Sequence, residues 1–250
     1  MNCYKFLPLF FALALSPPDA MAGQGESNAR SDPSCVILLH GLFRSSMAMT
    51  PIEWQLEEAG FTVVNATYPS LSYPIEKLAR MAVESGVSQC RVQGLERINF
   101  VTHSLGGILV REYMDSSKIK GLERVVMLGP PNQGSQVADT VNSFALLEGL
   151  MPAAIGQLGT GDESIPVHLG PVSFELGVIA GTFNWRRKLP GFPDEEGDGT
   201  VTVAETVVPG MLDFLELPVS HTFMIWSSEV ASQAIHFLRY GQFDRSVQNN

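Results

Sequence analysis

The chain has 250 residues, 45% hydrophobic and 17% charged, and a formal net charge of −10. That length suits one domain of the α/β class, with enough chain to bury a sizeable core. The acidic balance argues against a nucleic-acid partner and against electrostatic docking to an anionic membrane.

The N-terminus reads as a targeting segment. Lys5 precedes the apolar run Phe6 to Leu15, and Ala20-Met21-Ala22 fits a small-residue cleavage site. A signal peptide over 1–22 is expected, its apolar run too short to span a bilayer comfortably. It implies export to the periplasm or the exterior, an oxidising compartment. Residues 23–34 are small and polar, a flexible lead-in. The folded domain is expected over 35–241, with a tail over 242–250.

Cys35-Val36-Ile37-Leu38-Leu39 reads as a buried strand running into His40-Gly41-Leu42. His40 precedes a tight turn and is read as shaping that loop. Two cysteines remain after the signal, Cys35 and Cys90, both near the N-terminal edge of the expected sheet. A disulfide and a pair of semi-buried thiols both fit that placement. Neither cysteine has CxxC or Cys/His spacing, so no metal site is expected.

Met49 to Ala59 predicts an amphipathic helix with Trp54 and Leu56 in the core, capped by Gly60. Phe61 to Thr67 predicts a strand. Asn65-Ala66-Thr67 lies within it and is a chance glycosylation match. Ile75 to Val87 predicts a second helix. Strands alternating with helices of this length imply crossovers and a parallel sheet.

The most informative stretch is Ile98-Asn99-Phe100-Val101-Thr102-His103-Ser104-Leu105-Gly106-Gly107. An apolar, β-prone run meets a polar step and two glycines, and apolar residues at helical spacing then resume through Met114. This is strand, sharp turn and helix, with Ser104 at the tip of the turn. The helix N-terminus favours negative charge beside it. At Gly106 a Cβ is expected to collide with the incoming strand. The pattern is that of a nucleophile elbow, G-x-S-x-G, with Thr102 in its first position.

Arg124 to Leu128 predicts a strand that opens into Gly129-Pro130-Pro131-Asn132-Gln133-Gly134-Ser135. Ser135 lacks the strand–serine–helix setting and is read as a loop residue. Residues 136–171 then break the alternation with Gly, Pro, Leu and Met. This apolar insertion reads as a lid or acyl-binding wall, with Leu150 and Met151 as substrate-binding candidates. An ordinary pair of surface helices fits the same stretch. His168 falls within it and is set aside.

Leu176 to Gly181 predicts a strand, followed by the acidic loop Asp194-Glu195-Glu196-Gly197-Asp198-Gly199. Phe214 to Leu217 predicts the last strand, followed by Pro218-Val219-Ser220-His221. Ser228 to Tyr240 predicts a closing amphipathic helix. Serine, acid and histidine thus each follow a strand, in that chain order. Ser104 Oγ is too weak a nucleophile alone. His221 can take its proton. Asp198 sits between two glycines that allow an inward turn and can hold the imidazole. Backbone N–H groups of Leu42 and Leu105 are the candidate donors to an oxyanion.

Leu38-Leu39-His40-Gly41-Leu42, Thr102 to Gly107, Pro131 to Ser135, Asp198-Gly199-Thr200-Val201 and Ser220-His221 together resemble bacterial lipase-like α/β-hydrolases. The resemblance spans about Cys35 to Gly241, and Thr102 departs from it. It implies a mostly parallel sheet wrapped by helices and hydrolysis of carboxylic esters without a cofactor. It assigns nucleophile, acid and base to Ser104, Asp198 and His221, and the oxyanion donors to Leu42 and Leu105. The implied partner is a small-molecule or lipid ester, with transient contact to a lipid surface left open. The competing reading is a catalytically silent relative that binds an apolar ligand or a protein.

Overall fold

The computed structural model describes residues 33–145, 151–189 and 194–246. The expected signal peptide and nearly all of the lead-in lie outside the described residues. Six strands form one parallel sheet: β1 (Cys35–Leu39), β2 (Thr62–Asn65), β3 (Ile98–His103), β4 (Leu122–Leu128), β5 (Glu175–Gly181) and β6 (Asp213–Leu217). Their order is β2-β1-β3-β4-β5-β6. Leu39 of β1 lies beside Thr102 of β3.

The helices that pack on the two faces of the sheet are α1 (Thr50–Glu58), α2 (Ile75–Val92), α3 (Leu105–Ser116) and α8 (Ser228–Tyr240). Between α3 and α8 lie α4 (Gln136–Ala145) and the short α5 (Ala153–Gly156), α6 (Ile165–His168) and α7 (Val203–Thr206). Side chains alternate across the sheet, so Ile37, Leu39, Phe100 and Met127 pack with α2 and α3. Val36, Leu38, Val101 and Leu128 pack on the other face with α1 and α8. Burial on both faces explains why β1 and Val125 to Leu128 of β4 read as continuous apolar runs, while β3, buried throughout, carries Asn99, Thr102 and His103 among its apolar residues.

Three expectations change here. Trp54 is exposed; Leu56 is buried as expected, and Ile52 is the residue that joins it in the core. Two residues correspond to about 200° around a helix, so Leu56 facing inward turns Trp54 outward. Helix α2 continues five residues past Val87. Past Gly241 the chain stays packed: Phe243 is buried, and Arg245 donates to both carboxylate oxygens of Asp213 at 2.6 and 2.9 Å.

Cys35 and Cys90 are joined by a disulfide, with Cα atoms 5.9 Å apart. It ties the start of β1 to the last turn of α2. Asn65 donates to the Ser46 carbonyl at 2.9 Å and to Glu53 at 2.7 Å. In this parallel sheet the direction in which successive strands are added reverses at β1, since β2 flanks one side and β3 the other. The carboxyl ends of β1 and β3 therefore form a crevice, the place where open parallel sheets hold ligands.

Candidate active site

Ser104 stands at that crevice, between β3 and α3. Its backbone has φ 55° and ψ −123°, a strained region for a residue with a Cβ. Its N–H donates to the Leu128 carbonyl at 2.9 Å, so β4 holds the turn from beneath. A Cβ on Gly106 would lie 2.5 Å from the Leu39 carbonyl oxygen. The collision is thus with the neighbouring strand β1, not with the strand that enters the turn. Thr102 is accommodated: it is fully buried, and its hydroxyl reaches the Val126 carbonyl at 3.4 Å.

The loop after β1 lies against this turn. A Cβ on Gly41 would come within 3.1 Å of Ser104 Cβ and of His103 Nδ1. His40 is wholly buried, stacked on Tyr68 with ring centroids 4.0 Å apart. Its Nδ1 bonds the Gly41 carbonyl at 2.9 Å, and the Tyr68 hydroxyl donates to the His40 carbonyl. Burial lowers the His40 pKa and raises that of Tyr68. His40 is therefore the neutral, structural residue expected of it. Phe43 adopts φ 56°, a second strained backbone beside the same crevice. Among the described residues, neither the Leu42 nor the Leu105 N–H donates to a backbone carbonyl.

Asp198 and His221 meet behind the crevice. Asp198 Oδ2 lies 2.6 Å from His221 Nδ1. The other carboxylate oxygen accepts from the N–H groups of Thr200 at 2.9 Å and Val201 at 2.8 Å. The His221 N–H in turn donates to the Asp198 carbonyl at 3.0 Å. Gly199 has φ +90°, which permits this inward turn. Thr202 follows as a cap on α7, in a reciprocal capping box with Glu205 that anchors the loop. Asp194 lies on the surface in an ion pair with Arg187 at 2.9 Å.

Three contributors were not singled out in the sequence. His103 is buried beside His221, ring centroids 4.7 Å apart, and its Nε2–H donates to the His221 carbonyl at 2.9 Å. Burial first, and then the charges of His221 and Arg44, hold its pKa well below the usual histidine value. Gly129, just after β4, and Gly181, the last residue of β5, make room for the pair. A Cβ on Gly181 would lie 2.7 Å from Asp198 Cβ and 2.4 Å from the Val219 carbonyl oxygen.

Ser104 and His221 open into a common cavity of about 450 Å³, a size suited to a small ligand. Its apolar wall is Val137, Ala138 and Val141 of α4 with Ile155 and Leu158. Leu150 lies outside the described residues. Met151 is exposed and is not among the cavity-lining residues, which corrects its expected role. The insertion reaches the cavity through the face of α4 and the α5 turn instead. Ser135 lines the cavity too, but its hydroxyl donates to the Thr200 carbonyl at 3.2 Å. His168 is exposed and bonds the Ser164 carbonyl.

No family model and no curated protein matches the sequence. Solved structures do match. The mature form of the Bacillus licheniformis lipase BlEst2 superposes with a TM-score of 0.61 at 18% identity, covering 85% of this chain and 93% of that one. The propeptide form gives 0.62 at 20% identity, over 77% and 47%. Phospholipase PlaB from Legionella pneumophila gives 0.60 at 20% identity, over 82% and 57%. An extracellular α/β-hydrolase from a Paenibacillus species gives 0.51 at 14% identity, over 83% and 99%. The chain has the α/β-hydrolase fold. It spans about half the length of the BlEst2 propeptide form and of PlaB. In this α/β-hydrolase fold the ends of β1, β3, β4 and β5 and the loop after β6 all converge on one crevice.

Proposed function

We propose that the protein is a serine hydrolase of carboxylic esters, acting through Ser104, Asp198 and His221. The observation that carries this reading is the Asp198–His221 pair, closed at 2.6 Å, beside a serine on a strained turn at the same cavity. Nδ1 of His221 is committed to Asp198, so Nε2 is the nitrogen left to take the Ser104 proton. Ser104 Oγ attacks the ester carbonyl as that proton moves. The oxyanion that forms is met by the N–H groups of Leu42 and Leu105, each worth about 3 kcal/mol in such sites. Collapse breaks the acyl–oxygen bond, and the imidazolium protonates the leaving alcohol. Water, deprotonated by His221, then releases the acid from the acyl-enzyme. Asp198 stabilises the imidazolium in both halves.

The apolar wall from α4 and α5 suits the acyl group. Lipases among the structural neighbours agree with an ester substrate, and the Cys35–Cys90 disulfide agrees with an exported enzyme. A fluorophosphonate probe tests the reading. It should label the wild type and Ser135→Ala but not Ser104→Ala. Labelling of Ser104→Ala, or silence of the wild type, returns the chain to a binding role.

A further inference from the structure

The protein is strongly acidic, yet its cavity is not. Among the described residues, those that line the cavity include Arg44 and Arg186 and no Asp or Glu. Asp198, the carboxylate behind His221, has no exposed side-chain surface. Arg44 follows the Leu42 loop and reaches across the mouth to Thr222 Oγ1 at 3.4 Å. Thr222 is the residue after His221, the group that protonates the departing alcohol. Arg186 comes from the other side, within 3.5 Å of the Gly199 carbonyl and Thr200 Oγ1. The apolar wall is built from α4 and α5. The cavity thus has an apolar side for an acyl chain and a cationic rim beside the leaving-group end.

Resting on the hydrolase reading above, we propose that the substrate is an acyl ester whose leaving alcohol carries a phosphate, held by Arg44 with Arg186 as the second guanidinium. A guanidinium offers parallel N–H donors that match phosphate oxygens. In a protein of net charge −10, a rim with two guanidiniums and, among the described residues, no carboxylate also concentrates such an anion at the site when the surface as a whole repels it. A neutral ester offers either arginine hydrogen-bond acceptors but no charge to pair with.

The test compares two esters with the same acyl group, lauroyl glycerol and lauroyl glycerol phosphate, and reads laurate release. The quantity is the ratio of kcat/KM for the phosphate ester to that for the neutral one. Wild type should favour the phosphate ester by about tenfold or more. Arg44→Gln should cut the ratio about tenfold, Arg44→Glu should cut it further, and Arg44→Lys should keep most of it. Added salt should narrow the wild-type ratio, because the rim is solvent-exposed. A wild-type ratio of one or below overturns the proposal, and so does a ratio that Arg44→Gln leaves in place. In both cases turnover of lauroyl glycerol lost in Ser104→Ala leaves the hydrolase reading standing. Turnover of neither ester overturns both.

Discussion

Gly129 faces Asp198 so closely that a Cβ on it would lie 2.9 Å from Asp198 Oδ2 and 3.1 Å from His221 Nδ1. Its φ is +54°, so a side chain there is both strained and wedged against the pair. Gly60 has φ +91° with nothing within 4 Å. The two glycines separate conformational cost from site geometry. Gly60→Ala should lower stability by about 1 kcal/mol and keep activity. Gly129→Ala should cost about 100-fold or more in kcat/KM on a short ester, because it pushes the carboxylate off the imidazole. Thermal melts beside the kinetics separate misfolding from displacement. Equal activity in the two variants would show that the close approach has no role.

The acid can be tested within one loop. Asp198 is buried against His221, whereas Asp194 is exposed and paired with Arg187. Asp198→Asn should keep the fold and lower kcat by about 10³- to 10⁴-fold, by removing the charge that stabilises the imidazolium. Asp194→Asn should be near neutral, since exposed ion pairs contribute little. A crippled Asp194 variant beside an active Asp198 variant would move the acid.

Much of this arrangement was legible because it rests on local pattern. β1 and Val125 to Leu128 of β4 are buried on both faces and show unbroken apolar runs. The strand–serine–glycine–helix step is likewise contained in ten consecutive residues. What was not legible depends on several elements meeting. A glycine after a strand marks Gly129, but only the convergence of β4, β5 and the loop after β6 shows that it faces Asp198 and His221. His103 sits next to Ser104 in sequence, yet its partner is a carbonyl 118 residues away. Trp54 failed because apolar character alone does not say which side of a helix faces in. Met151 failed for a related reason: an apolar insertion announces a wall without saying which of its residues line it.

Two buried histidines make stability depend on pH. Burial lowers the pKa of both His40 and His103 in the fold. The unfolded chain therefore binds more protons than the native one once pH falls below the free histidine value. Stability is full above about pH 6.5 and declines below it, by about 1.4 kcal/mol per pH unit for each histidine still neutral in the fold. Thermal melts at pH 7 and pH 5 should show the loss. His103→Gln keeps a donor for the His221 carbonyl but cannot titrate, so its melting temperature should fall less between the two. A variant whose acid sensitivity equals the wild type's would assign the effect elsewhere.

The disulfide closes a loop between residues 55 apart in sequence. Such a link stabilises by about 2–4 kcal/mol, through restriction of the unfolded chain in one account. Denatured, unreduced protein should therefore show no free thiol after signal removal, and reduction should lower the denaturant midpoint. Two titratable thiols per chain in the exported protein would mean the bond does not form.

Val137 and Val141 lie one helical turn apart on α4, and both line the cavity while remaining only partly buried. Ile155 and Leu158 line it too but are buried, so changing them perturbs packing as well as the cavity. Val137→Ser and Val141→Ser are therefore the cleaner probes. Each removes apolar surface that an extended acyl chain covers and an acetyl group does not reach. Burial is worth about 25 cal/mol per Å² of apolar surface. A long-chain p-nitrophenyl ester should thus lose several-fold in kcat/KM, roughly 1 kcal/mol, while the acetate ester changes little. The loss should appear mainly in KM if the wall binds ground state and transition state alike. Equal losses on acetate and long-chain esters would make this face of α4 a support for the site rather than its acyl wall.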